Sequence, residues 1–152
     1  MSVINVDGDD VGIDFETLEM ILGIRVPSVT INWWVSPGSN VVSEYSYEPL
    51  GCEIQTFWLD GMTGAEVESF SSAVIAVMDS VAPPTRALVC DYRGITDAGA
   101  WDSLMLYGGN EVPGVVDDLL AAPGLTRRIL AHSSSLRAER EGETLTRLVR
   151  RE

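Results

Sequence analysis

Lysine is missing from this sequence. All ten basic residues are arginine, set against 23 acids, for a net charge of −13. An acidic surface repels phosphate backbones, which excludes free nucleic acid as a partner for most of the molecule. Without lysine no Gly-x-x-x-x-Gly-Lys cradle exists, and no Gly-x-Gly-x-x-Gly occurs either. Histidine is nearly missing too: His132 is the only one, which leaves little scope for acid–base chemistry at neutral pH. Two cysteines, Cys52 and Cys90, lie in apolar, strand-like runs and read as small buried hydrophobes rather than a disulfide. No uncharged apolar run approaches the roughly 20 residues that span a bilayer. The first ten residues turn acidic at once, with no basic or long apolar stretch, so a secretory signal is not expected.

What is present is an ordinary globular composition, 45% hydrophobic and 22% charged over 152 residues. That suits one domain, residues 1–152, around one core. The charge is unevenly spread. Residues 1–124 hold 19 acids and three arginines, a net of −16, whereas residues 125–152 hold seven arginines and four glutamates, a net of +3.

Local patterns give the element order. Ser2 to Val6 is a short edge strand, and Asp14 caps a short helix carrying Phe15, Leu18 and Leu22, closed by Gly23. Val29, Ile31, Trp33 and Val35 alternate with polar partners, and Tyr45 and Tyr47 do the same. Cys52 to Leu59 completes a three-stranded meander. Thr63 and Glu66 form a capping box before Val67, Phe70, Val74, Val77, Met78 and Val81, a stripe at helical spacing that ends at Pro83-Pro84. This stripe is expected to face the sheet, with Glu66, Glu68 and Asp79 outward; a fully buried Phe70 would cost about 3–5 kcal/mol on truncation to alanine. Arg86 to Tyr92 reads as an interior strand. Ala100 to Tyr107 and Val112 to Ala121 read as helices, with Asp117 and Asp118 on a solvated face; Arg127 to Arg137 and Thr144 to Arg150 read as strands. The fold class is α+β: a mixed or antiparallel sheet, the meander plus later strands, with helices packed mainly on one face.

Reactive constellations are few. Residues 7–12, Asp-Gly-Asp-Asp-Val-Gly, are similar to a calcium loop. Val11 falls at the fifth loop position and Leu18 at the twelfth, so a solvated acidic turn fits better. His132 precedes Ser133, Ser134 and Ser135, but no Gly-x-Ser-x-Gly elbow exists, so the chain is read as a non-enzyme without cofactor or metal. The glycines around Met62 loosely match an acetyltransferase loop, yet Asp60 stands where a cationic or neutral residue is wanted. Aromatics on the meander point to binding. If Trp33 faces the core, Trp34 faces away, and Tyr45 and Tyr47 share a face. Trp34, Tyr45 and Tyr47, with Arg127, Arg128, Arg137 and Arg140, are the candidate interface residues.

Residues 51–60, Gly-Cys-Glu-Ile-Gln-Thr-Phe-Trp-Leu-Asp, with Ala65 to Phe70 and Val77-Met78, resemble the central strand and helix of siphophage tail terminator proteins. A short helix before Val26-Pro27-Ser28-Val29 and the runs Asp91-Tyr92-Arg93 and Asp97 to Trp101 keep a similar order. That resemblance implies a homo-oligomeric ring on the tail tube that joins the tail to its connector, within a virion assembled in the host cytoplasm. Its partners would be copies of itself and neighbouring tail or connector proteins, with no sequence-specific nucleic acid and no membrane. Residues 54–107 also look like STAS domains of anti-sigma-factor antagonists, although Asp97-Ala98-Gly99 lacks the regulatory serine of their loop. A third class, small acidic immunity proteins of the bacterial cytoplasm that neutralise basic toxins, fits the charge.

Overall fold

A computed structural model describes residues 1–48, 51–78, 85–114, 116–141 and 144–151, the side chains of Arg140 and Glu141 excepted. Asp79, Val81 and Pro83-Pro84 lie outside the described residues. The fold is α+β, with antiparallel strands throughout, but the described strands form two sheets. Contacts cluster within two compact units, Met1–Val67 and Glu68–Glu152.

The first unit is a five-stranded sheet in the order β2-β1-β3-β4-β5. Its strands are β1 (Ser2–Ile4), β2 (Asp10–Gly12), β3 (Ser28–Ser36), β4 (Ser39–Tyr47) and β5 (Glu53–Trp58). The meander is as expected. The first strand is not an edge, because the acidic run at residues 7–12 ends in β2 and pairs outside it. Asn5 makes that hairpin, its side-chain oxygen accepting from the amides of Asp7 and Asp9 at 3.0 and 2.8 Å. Helix α1 (Phe15–Gly23) starts where Asp14 accepts from the Thr17 amide at 2.8 Å. Leu18, Ile21 and Leu22 pack on Val29, Ile31 and Trp33, so α1 covers the face of β3 that the odd-numbered residues define.

The second unit opens with α2 (Gly64–Met78), whose first turn belongs to the first unit. The capping box is formed: Glu66 accepts from the amide and hydroxyl of Thr63, both at 2.8 Å. The buried meridian differs from the valine stripe. Ser71 is the buried residue among those described, Phe70 is half-buried and Val77 is 53% exposed. Val67, Phe70, Val74 and Met78 of the stripe are half-buried, so the inward face keeps them and turns from Val77 toward Ser71 and Ile75. A hydrogen bond between Ser71 and Tyr92 fixes that turn of the helix. Phe70→Ala should therefore cost less than the full-burial figure.

The second sheet runs β6-β7-β9-β8, from β6 (Ala87–Cys90), β7 (Asp118–Ala121), β8 (Leu136–Glu141) and β9 (Thr146–Arg150). A 3-10 turn (Ala98–Trp101) runs into α3 (Asp102–Met105), and α4 (Pro123–His132) follows β7. Two expectations are corrected here. The helix expected to Ala121 is a strand in its last four residues, because Leu119 and Leu120 pair with β6 on one side and β9 on the other. The strand expected from Arg127 is a helix. Pro123, taken as a stop, is its first residue, where a missing N–H costs nothing and the fixed φ suits the turn. Leu125 and Ile129, four apart, then seal against Leu104, Ala121 and Leu148. Burying side chains such as Leu104 and Ile129 completely contributes about 1.5–3 kcal/mol each.

Candidate interaction surfaces

Strand register places the aromatics. Trp34 pairs with Asn40 and Trp58 with Val42, two residues further along β4, so both indoles stand on the face of the sheet away from α1. Strand spacing and rise put their Cα atoms about 12 Å apart, diagonally across β4. Trp34 is 59% and Trp58 41% exposed. Ile4, Val42 and Ile54 share that face, as do two acids, Glu44 and Asp10. Glu44 accepts from the Ser28 hydroxyl at 2.6 Å, and Asp10 from that of Ser2 at 2.7 Å. Among the described residues of this unit the single cation, Arg25, lies on the other side, its guanidinium 4.9 Å from the Tyr47 ring centre. Arg25 itself sits in the left-handed region at φ 53°.

Tyr45 and Tyr47 do share a face, but it is the one α1 covers, and both are half-buried. Burial, with a hydrogen bond to Glu53, pushes the Tyr45 hydroxyl up to about 12. Met20 and Ile24 stand on the solvent side of α1, and Phe15, in line with Leu18 and Leu22, is exposed at its first turn; all three are 64–70% exposed. The first unit therefore offers apolar side chains on two opposite sides.

The arginines divide. Arg127 is exposed on α4, its Nε donating to the Pro123 carbonyl at 3.4 Å. Arg128 turns inward and donates to the Leu104 carbonyl, with its Nε buried and lacking a partner among the described residues. It acts as a clamp within its own unit, unlike the contact residue expected. Arg137 is exposed on the edge strand β8; Arg140 lies in the same strand, its side chain outside the described set. Arg147, missed from sequence, pairs with Asp118 and, at 3.5 Å, with Glu139. Arg150 and Arg151 are exposed at the same end of the β8–β9 pair as Arg137. Leu136 pairs with Arg150 and Arg137 with Val149, so Arg150 stands on the opposite face from Arg137, while Arg151, whose amide donates to the Ser135 carbonyl at 2.7 Å, follows the parity of Arg137.

The acids expected on a solvated helix are also engaged. Asp117 accepts from the Tyr92 amide at 2.9 Å and pairs with Arg93 at 3.1 Å. Asp91 organises the following loop. Burial tends to raise its pKa, but the amides of Ile95 and Thr96 and the Thr96 hydroxyl outweigh that and hold it below the usual carboxylate range. Thr96 then accepts from the indole of buried Trp101 at 2.9 Å.

His132 ends α4, Nδ1–H donating to the Arg128 carbonyl at 2.9 Å. It borders an open groove of about 390 Å³ with Glu111, Ser133 and Ser135. The two serine hydroxyls bond each other at 2.9 Å. Neither is held against the imidazole as a nucleophile would be. Cys90 is buried, which pushes its thiol up, and Cys52 is half-buried; both are free. Among the described residues no group of three or more His, Cys, Asp or Glu side chains is placed to hold a metal, and no helix is long and apolar enough to cross a membrane.

No protein-family model, curated protein or solved structure matches the chain. Of the surface residues, sequence reasoning missed Trp58, Phe15, Met20, Ile24 and Arg147. Only for Trp58 did a signal exist: its parity along β5, once the register with β4 is known.

Proposed function

We propose that this chain is a structural interaction protein that acts by self-association, with neither catalysis nor a cofactor. The observation that carries the proposal is an imbalance in the first unit. Among the described residues its core cluster has three buried members, Leu18, Val29 and Ile31, yet nine large hydrophobics of Met1–Val67 are exposed. Scattered exposed apolar residues are ordinary, but groups on two opposite sides of a small unit suit a subunit with a neighbour on each side. Such heterologous contacts form a ring where the rotation between copies closes. A ring at the end of a phage tail tube, joining tail to connector, is the assembly we propose; what supports that placement is the likeness of residues 51–78 to the strand and helix of tail terminators. A lumen walled by the acidic residues would let DNA pass without holding phosphates, and the arginines of residues 125–152 would serve at contacts.

Mass in solution against concentration and salt tests this. Discrete high-order homo-oligomers are expected, weakening as salt rises. A chain that stays monomeric at all concentrations overturns it. One observation favours a second reading, a monomeric immunity-type binder of a basic toxin: the Trp34 face carries acids and, among the described residues of its unit, no cationic side chain. That reading requires a tight one-to-one complex with a basic protein.

A further inference from the structure

Two surfaces of this chain are chemically complementary. On the first unit, Trp34 and Trp58 flank Asn40 and Val42, with Glu44 and Asp10 on the same face and no cation there among the described residues. Met1–Val67 holds eleven acids and one arginine, a net of −10. On the second unit, the open end of the β8–β9 pair carries Arg137 and Arg151 on one face and Arg150 on the other, all exposed and in no ion pair among the described residues. Indole faces attract guanidinium through the ring quadrupole, and nearby carboxylates strengthen that attraction. Trp34 and Trp58 are 59% and 41% exposed, which leaves ring surface for a guanidinium.

We propose that the Trp34/Trp58 face is the receiving site for the Arg137, Arg150 and Arg151 end of a second copy. This rests on the self-association reading and names its contact. The geometry is head-to-tail, since donor and acceptor are different surfaces. An α1-to-tryptophan contact between copies is disfavoured, because Glu16 and Glu19 on α1 would meet Glu44 and Asp10.

The test uses two full-length variants. The acceptor variant is Trp34→Ala with Trp58→Ala; the donor variant is Arg137→Glu with Arg150→Glu and Arg151→Glu. Each alone is expected to be monomeric where the unaltered chain assembles, with association weakened at least ten-fold. Mixed in equal amounts they are expected to form one-to-one dimers that grow no further, because each keeps the surface the other lacks. If the tryptophan variant loses its fold by circular dichroism, Glu44→Arg replaces it and must behave the same way. Assembly of either variant like the parent, or a mixture that stays monomeric, overturns the contact while leaving self-association standing. A parent chain that never assembles overturns both. A monomeric parent that binds an arginine-rich peptide, with the acceptor variant failing to, gives the face to another protein and overturns self-docking.

Discussion

The two units invert each other's economy of burial and charge. Glu68–Glu152 packs nine buried apolar residues into one cluster, from Trp101 to Leu148, and exposes four large hydrophobics among those described. Met1–Val67 has a three-residue cluster and exposes nine. Net charge runs the same way, −10 for the first unit and −3 for the second, whose twelve acids are nearly matched by nine arginines. In the second unit carboxylates are tied to arginines and amides: Asp118 to Arg147, Asp117 to Arg93, Asp91 to its own loop. In the first, Asp10, Asp14, Glu44 and Glu66 are bonded to hydroxyls and amides, and none is in an ion pair among the described residues. The contrast separates a unit with a sealed apolar cluster from one that leaves more of its large hydrophobics exposed.

The largest expected effect tests the stable side of that contrast. Leu104→Ala or Ile129→Ala should cost about 2–5 kcal/mol in chemical denaturation, the range for emptying a sealed aliphatic site. Phe15→Ser on the first unit should change the stability of the monomer by no more than about 0.5 kcal/mol. Comparable losses would break the comparison.

Asp91→Asn should come next, at about 1–2 kcal/mol, because a neutral amide accepts less strongly from the Ile95 and Thr96 donors. Its pH dependence follows from sign. The folded carboxyl lies below its ordinary value of 3.8, so its contribution is present above that value and lost as pH falls through the folded value. The asparagine variant should lose less stability on acidification than the parent, and an unchanged acid midpoint would contradict the loop's role.

Tyr45 and Tyr92 offer an alkaline counterpart, one in each unit. Both hydroxyls are pushed up to about 12, with burial the leading cause. A raised pKa contributes stability that is complete below the unfolded value of 10.0 and lost as pH climbs toward 12. Tyrosinate absorbance should therefore show late-titrating groups that Tyr45→Phe and Tyr92→Phe each remove in part. The smallest effect is at His132. Its Gln variant should assemble and unfold like the parent, and loss of any measured turnover in that variant would overturn the non-enzymatic reading.

Much of the local structure was legible. The Asp14 cap, the Thr63–Glu66 box and the three-strand meander each rest on contacts within a few residues or on a strict two-residue alternation. The failures cluster in residues 112–137. There a short Leu-Leu-Ala run suits a buried strand as well as a helix, and Pro123 marks either a stop or a start. The candidate surface was half legible: Trp34 followed from parity with Trp33, whereas Trp58 and Arg147 acquire meaning only from neighbours far along the chain.

By itself the sequence determined the α+β class, the caps, the turns and the segregation of acid from arginine, because each is a property of adjacent residues or of simple counting. Only tertiary structure decided that the later strands form a second sheet, that α2 turns Ser71 rather than Val77 inward, and that Trp34 and Trp58 share an open face. Those outcomes depend on pairings between residues tens of positions apart. Register and burial there are chosen by the whole surface each partner hides, which no local pattern records.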